Sequence, residues 1–261
     1  MTIAQLAAAI EDFAPLHLQE DYDNAGLCVG NAQAEASGAL LCLDATEDAV
    51  RTAIERRINL VVSHHPPIFG GLKRLVGATS TERVVMLAAK HDVALYAAHT
   101  NLDKVRGGVS ERMCERLGLL NRRILQPSAT RADIGLGMVG ELPAPMPAGD
   151  FLQLVRLAFN RQNIRYAASR KACVSTVAVC GGSGADLMPL AEACGADALV
   201  SADFKYHQLQ MAVGGDVMPI DVGHYESEIE AVDIFFEIIS KKFPTFAPHL
   251  VRYTVNQIEY L

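Results

Sequence analysis

Tryptophan is absent from this 261-residue chain, aromatic residues make up 6 % of it, and no apolar run approaches the ~20 residues that a membrane-spanning helix needs. The opening residues, Met1-Thr2-Ile3-Ala4-Gln5-Leu6, lack the basic segment and long apolar core of a signal peptide. Six cysteines are scattered without CxxC or disulfide-framework spacing, which excludes a secreted disulfide scaffold and predicts a reducing, cytoplasmic setting. Cys42, Cys173 and Cys180 fall in or beside apolar strands and read as small core residues. A surplus of basic charge is also missing. The net charge is −7 and no basic stripe exists, which argues against nonspecific nucleic-acid binding. Half of the residues are apolar and a fifth are charged, enough to bury the cores of one large or two modest soluble domains.

What is present is a series of β-branched runs that stop at polar clusters. Leu60-Val61-Val62 runs into Ser63-His64-His65-Pro66-Pro67, and the prolines end the strand because they cannot donate to a sheet ladder. Successive strand side chains point to opposite faces, so adjacent imidazoles serve one ligand poorly unless the chain turns or two ions are present. Ala39–Leu43 is a second buried strand, ending at Asp44, and Val93–Ala98 a third, ending at His99-Thr100-Asn101-Leu102-Asp103. Asp21-Tyr22-Asp23-Asn24 reads as an Asx-type turn or a substrate-facing loop.

Residues 127–149, rich in proline and glycine, read as the connection between halves, with a short strand of its own. The plan then repeats. Val177–Cys180, a helix, and Ala198–Ser201 echo Leu40–Leu43, a helix, and Leu60–Ser63, with Asp203 where the first half has His64-His65. A further strand ends at Asp221-Val222-Gly223-His224. Strand–helix alternation with buried strands predicts an α/β fold of two similar lobes, 1–126 and 127–261, each a mixed sheet covered by helices. In such sheets ligands bind beyond the carboxyl ends of the strands.

His224-Tyr225-Glu226-Ser227-Glu228 opens an apolar-periodic helix, and on it His224 and Glu228 share a face at i and i+4. Pooled with His64, His65 and Asp103 they make a mixed nitrogen and oxygen donor set suited to two divalent cations, Zn, Mn, Fe, Co or Ni. With a bridging carboxylate, each ion receives three protein ligands and keeps open positions for hydrolytic chemistry through a metal-bound hydroxide. His99 reads as a proton-transfer group or a support of the ligands, with a purely structural hydrogen bond as the alternative. His17, His91 and His249 read as surface residues, Gly181-Gly182-Ser183-Gly184 as a packing turn rather than a phosphate loop, and Lys205 and His207 as helix-face residues or substrate contacts.

The segments DYDNAGLCVG at 21–30, VVSHHPPIFG at 61–70, YAAHTNLD at 96–103, VCGGSGADL at 179–187, ALVSADFKYH at 198–207 and GHYESE at 223–228 together resemble the GTP cyclohydrolase 1 type 2 homolog family, the NGG-interacting-factor-three-like proteins. The likeness spans nearly the whole chain, and Tyr22 stands where that family usually has tryptophan. The resemblance implies that His65 and Asp103 hold one ion, His64 and His224 the other, and that Glu228 bridges them. It further implies a toroidal homohexamer and hydrolysis of a nucleotide or related small molecule. A non-catalytic metal-binding protein (a metal chaperone, regulator or adaptor) is the alternative.

Overall fold

A computed structural model describes residues 1–129 and 131–259, so Thr130 of the predicted connection and the last two residues of the predicted second lobe lie outside it. In chain order its strands are β1 (Gly26–Val29), β2 (Ala39–Asp44), β3 (Leu60–His65), β4 (Ala94–Ala97), β5 (Leu120–Pro127), β6 (Gly135–Pro147), β7 (Arg165–Tyr166), β8 (Cys173–Val179), β9 (Ala198–Ser201), β10 (Met218–Asp221) and β11 (Leu250–Tyr253). The fold is mixed α/β with two mixed sheets covered by helices, as the alternation predicts.

Two compact units are present, residues 1–102 with 231–261, and residues 103–230. The predicted lobes, 1–126 and 127–261, divide the chain differently for a physical reason. β11 pairs in parallel with β2 and returns the C-terminal segment to the first sheet, while β5 pairs with β6 in the second.

In the first unit the sheet order is β1-β4-β3-β2-β11. β2, β3 and β4 are parallel, with Cys42 opposite Ser63 and Ser63 opposite Ala97, and β1 runs antiparallel beside β4. The helices that cross between these strands start at threonines whose hydroxyls accept from the first helical turn, Thr46 from Ala49 N and Thr79 from Glu82 N. Leu40, Val61 and Leu95 of the sheet are buried against Val50, Ala53, Val84 and Ala88 of those helices.

In the second unit the order is β5-β6-β8-β9-β10-β7. Here β8, β9 and β10 are parallel, and β7 runs antiparallel beside β10. So β7 to β10 repeat the topology of β1 to β4, three parallel strands in chain order with the preceding strand antiparallel beside the third. The segment 127–149 is no linker: β5 and β6 form the long hairpin of this sheet, and Phe151, Val155 and Phe159 of the helix Ala148–Ala158 and its cap fill the core beneath. No described helix is long and apolar enough to cross a membrane.

Candidate metal centre

The parallel register of the first unit places Asp44, the last residue of β2, opposite His65, the last residue of β3. His65 Nδ1 lies 2.8 Å from Asp44 Oδ1. His64 is fully buried, and its Nδ1 lies 2.8 Å from the carbonyl oxygen of Ala98, just beyond β4. His99 follows, with Nδ1 2.8 Å from Asp23 Oδ1. Each of these acceptors holds the proton on Nδ1 and turns the Nε2 lone pair outward, the tautomer that a metal ligand needs.

The three imidazoles converge. Their ring centroids are 5.2 to 5.5 Å apart, and one donor atom from each lies within 4.8 Å of the other two. Side-chain alternation along β3 predicts that His64 and His65 diverge, yet the strand end brings both into one cluster, where Ser63 Oγ donates to the His65 carbonyl at 2.8 Å. Asp23 is the buried post behind His99, and the backbone N–H and hydroxyl of Thr100 also donate to it. Burial opposes its ionisation, but the hydrogen bonds and charge of His99 and the bonds from Thr100 outweigh this and hold the carboxyl well below the usual range. The turn at 21–24 therefore carries a structural role that links it to the histidines.

In the second unit, His224 opens the short helix His224–Glu228 after Gly223, whose φ of +94° is a left-handed turn. The predicted i, i+4 pairing is present, with His224 Nε2 2.9 Å from Glu228 Oε2. Asp203 lies just beyond β9 and accepts from Ser183 Oγ at 2.6 Å, and its Oδ2 is 2.8 Å from His224 Nδ1. Desolvation opposes its charge, but the Ser183 and His224 hydrogen bonds prevail and lower its pKa. Two residues past Ser63 stands His65, and two past Ser201 stands Asp203; in both units a carboxylate and an imidazole from neighbouring strand ends are hydrogen-bonded. Asp103, the last residue of the helix Thr100–Asp103, offers a carboxylate oxygen within 4.8 Å of one from buried Glu228.

The glycine turn supports Glu228 rather than an anion. Gly182 N donates to Ser227 Oγ and Gly184 N to Ser201 Oγ, both at 2.9 Å, so these amides are already used. A Cβ on Gly182 would stand 2.2 Å from Glu228 Oε1. Other charged and histidine side chains have different surroundings. Glu226 pairs with Arg161 and Glu230 with Arg116. Lys205 and His207 are exposed, as are His17, His91 and His249. Cys42 and Cys180 are buried as expected, but Cys173 is exposed at the start of β8, a correction to its core assignment. Sequence reasoning placed Asp23, Asp44 and Asp203 at strand ends or turns without assigning them their histidines; the signal was an acid at or just beyond the carboxyl ends of β2 and β9 and in the turn before β1.

Imidazole nitrogens with fixed tautomers and carboxylate oxygens can hold a divalent ion, so the donor chemistry fits a metal. A family model for Duf34/NIF3 (NGG1p interacting factor 3) matches residues 1–257. A Clostridium perfringens protein named GTP cyclohydrolase 1 type 2 homolog is 32 % identical over 228 residues, 87 % of each chain. Its namesake from Clostridium acetobutylicum is 31 % identical over 93 % of this chain and 89 % of its own. Among solved structures, a Staphylococcus aureus protein superposes with a TM-score of 0.88 at 25 % identity, covering 100 % of this chain and 99 % of its own. Reduced HcgD from Methanocaldococcus jannaschii gives 0.82, also at 25 % identity, over 97 % of each chain. With residues 1–257 matched and its strand-end histidines in place, the chain belongs to the Duf34/NIF3 family.

Proposed function

We propose that this protein is a dinuclear-metal-dependent hydrolase acting on a nucleotide or related small molecule, as a cytoplasmic homohexamer. His64, His65, His224, Asp103 and Glu228 would be the ligands: His65 and Asp103 would hold one ion, His64 and His224 the other, and Glu228 would serve both. The observation that carries this reading is the common arrangement of His64, His65, His99 and His224, each with Nδ1 at 2.8 Å from an oxygen acceptor that fixes its tautomer and orientation. Two divalent ions so held would supply Lewis acidity and activate water as a nucleophile near neutral pH.

The chain's own residues do the rest. Asp44, Asp203 and the Ala98 carbonyl hold three ligand imidazoles in one tautomer and orientation. His99, backed by the ionised Asp23, serves as the group that takes and returns a proton at Nε2. The names of the relatives favour GTP or a similar purine nucleotide as the starting point for a substrate search.

The test is metal analysis followed by turnover. Purified protein should hold about two ions per chain and hydrolyse a member of a nucleotide panel, and His65→Ala should lose both metal and turnover while remaining folded. Two retained ions with no turnover under zinc, manganese, iron, cobalt or nickel would favour a non-catalytic metal-binding role. A metal ratio near zero in a folded protein would refute the ligand assignment.

A further inference from the structure

Two aromatic rings beside the histidines are left facing water. Tyr22 is 63 % exposed and Phe69 55 % exposed, although aromatic rings contribute most when buried. Their centroids are 6.1 Å apart at an interplanar angle of 54°, between the parallel and perpendicular arrangements that aromatic pairs prefer. Phe69 also stands 6.1 Å from the His99 ring, nearly perpendicular to it.

The backbone on which these rings stand is fixed. Asp23, next to Tyr22, is buried under His99 and Thr100, and Asn24 Nδ2 donates to the carbonyl of Ile68, next to Phe69, at 2.7 Å. One hydrogen bond thus ties the two ring-bearing loops together, and the Asp23–His99 bond ties them to the imidazole cluster. Beyond Phe69 come Gly70 and Gly71, where an added Cβ would meet nothing within 4 Å.

We propose that Tyr22 and Phe69 form a stacking subsite for a planar heteroaromatic ring, of the nucleobase class, presented to the histidine cluster. The inference rests on the metal-hydrolase reading and deepens it by naming the residues that select the substrate. Two exposed rings on anchored loops offer faces on which a base stacks without prior ordering of the protein. Their polar neighbours, Asp21, Asp23, Asn24 and His99, suit a small molecule with an apolar face and polar edges better than a broad apolar protein surface. Stacking on one side chain is sequence-tolerant, so Phe69 selects for a ring and leaves the choice among bases to edge contacts.

The chain has no tryptophan, so Tyr22→Trp introduces a single fluorescent reporter into the subsite. Guanosine and GTP should quench it saturably, whereas ribose 5-phosphate and inorganic triphosphate should not. Phe69→Ala and Phe69→Leu should each weaken guanosine binding about five- to a hundredfold, Phe69→Tyr should restore it, and bound metal should stay constant. Calorimetry of guanosine binding to the unsubstituted protein and the Phe69 variants provides the same comparison without the reporter. Absence of saturable binding by guanosine, adenosine, cytidine and uridine, or binding that Phe69→Leu leaves unchanged, overturns the proposal. If that happens with about two ions still bound, the subsite fails and the metal centre stands. A folded protein that binds bases but no metal refutes the metal centre instead.

Discussion

Gly182→Ala tests whether the glycine turn exists to make room for the Glu228 carboxylate. Gly182 has a φ of +57°, and a left-handed conformation costs an L-residue about 1–2 kcal/mol. At about 2–4 °C per kcal/mol for a chain of this size, the backbone cost alone lowers the melting temperature by about 2–8 °C. The steric cost is separate. The new Cβ would sit 2.2 Å from Glu228 Oε1 and 3.2 Å from His224 Cε1, where ordinary contact begins at 3.4 Å. Relief by the backbone is blocked, because Gly182 N donates to Ser227 and its carbonyl accepts from Ser201 Oγ and the amides of Ala202 and Gly184. The easier movement is a swing of the Glu228 carboxylate away from His224, from which it is now 2.9 Å distant. A displaced ligand should cost about 10–100-fold in metal affinity, comparable to losing a residue that orients a ligand. The control is Gly195→Ala, at φ +77° with nothing within 4 Å of the new Cβ. It bears the same backbone cost and should leave metal affinity unchanged. Competition with a chromophoric chelator, alongside calorimetric melting of both variants, separates the two effects. Metal affinity of folded Gly182→Ala within twofold of the parent would refute the reasoning.

Other consequences are equally open to measurement. Asp44→Ala should weaken metal binding about 10–100-fold by freeing the His65 tautomer, and Asp44→Asn, whose amide oxygen still accepts from Nδ1, should recover part of the loss in the same chelator assay. Asp197 is partly desolvated, which raises its pKa, but Lys171 and the amides of Thr176 and Ser175 prevail and hold the carboxyl below its ordinary value. Its contribution to stability is therefore full above the unfolded value and lost as pH falls from there through the folded value; Asp197→Asn should flatten the pH dependence of the urea midpoint on the acid side of the ordinary carboxylate range, and an unchanged slope would contradict this. An Ellman titration of the native protein, with the labelled sites mapped by mass spectrometry, should modify Cys173 and spare Cys42, Cys114 and Cys180 until the chain is unfolded. Burial pushes the Cys114 thiol up to about 12 and raises those of Cys42 and Cys180 as well.

The parallel strands were legible because β2, β3, β9 and β10 are buried on both faces and read as continuous apolar runs closed by polar residues. β3 and β10 led to candidate ligands, and the helical spacing of His224 and Glu228 translated directly into contact. The β5–β6 hairpin was not legible, since its glycines and prolines resemble a linker. Those glycines serve close approach instead: a Cβ on Gly135 would stand 2.0 Å from the Gln126 carbonyl across the hairpin. β1 and β11 escaped notice because each is four residues long at a sheet edge, where burial is partial and the pattern weak. Which acid would serve which histidine depended on parallel register, and register is a property of strand pairing that no local pattern encodes.

The return of β11 to β2 also orders events at the ribosome. β1 to β4 leave the exit tunnel early, yet the edge of β2 stays open until the whole of residues 103–230 and the helix Glu230–Lys242 have been made. The nascent first sheet thus waits with an unpaired parallel edge while the second unit, contiguous in sequence, has all its own strands at hand. At about 5–20 residues per second that interval lasts several seconds or more, long enough for a trigger-type chaperone to matter to yield.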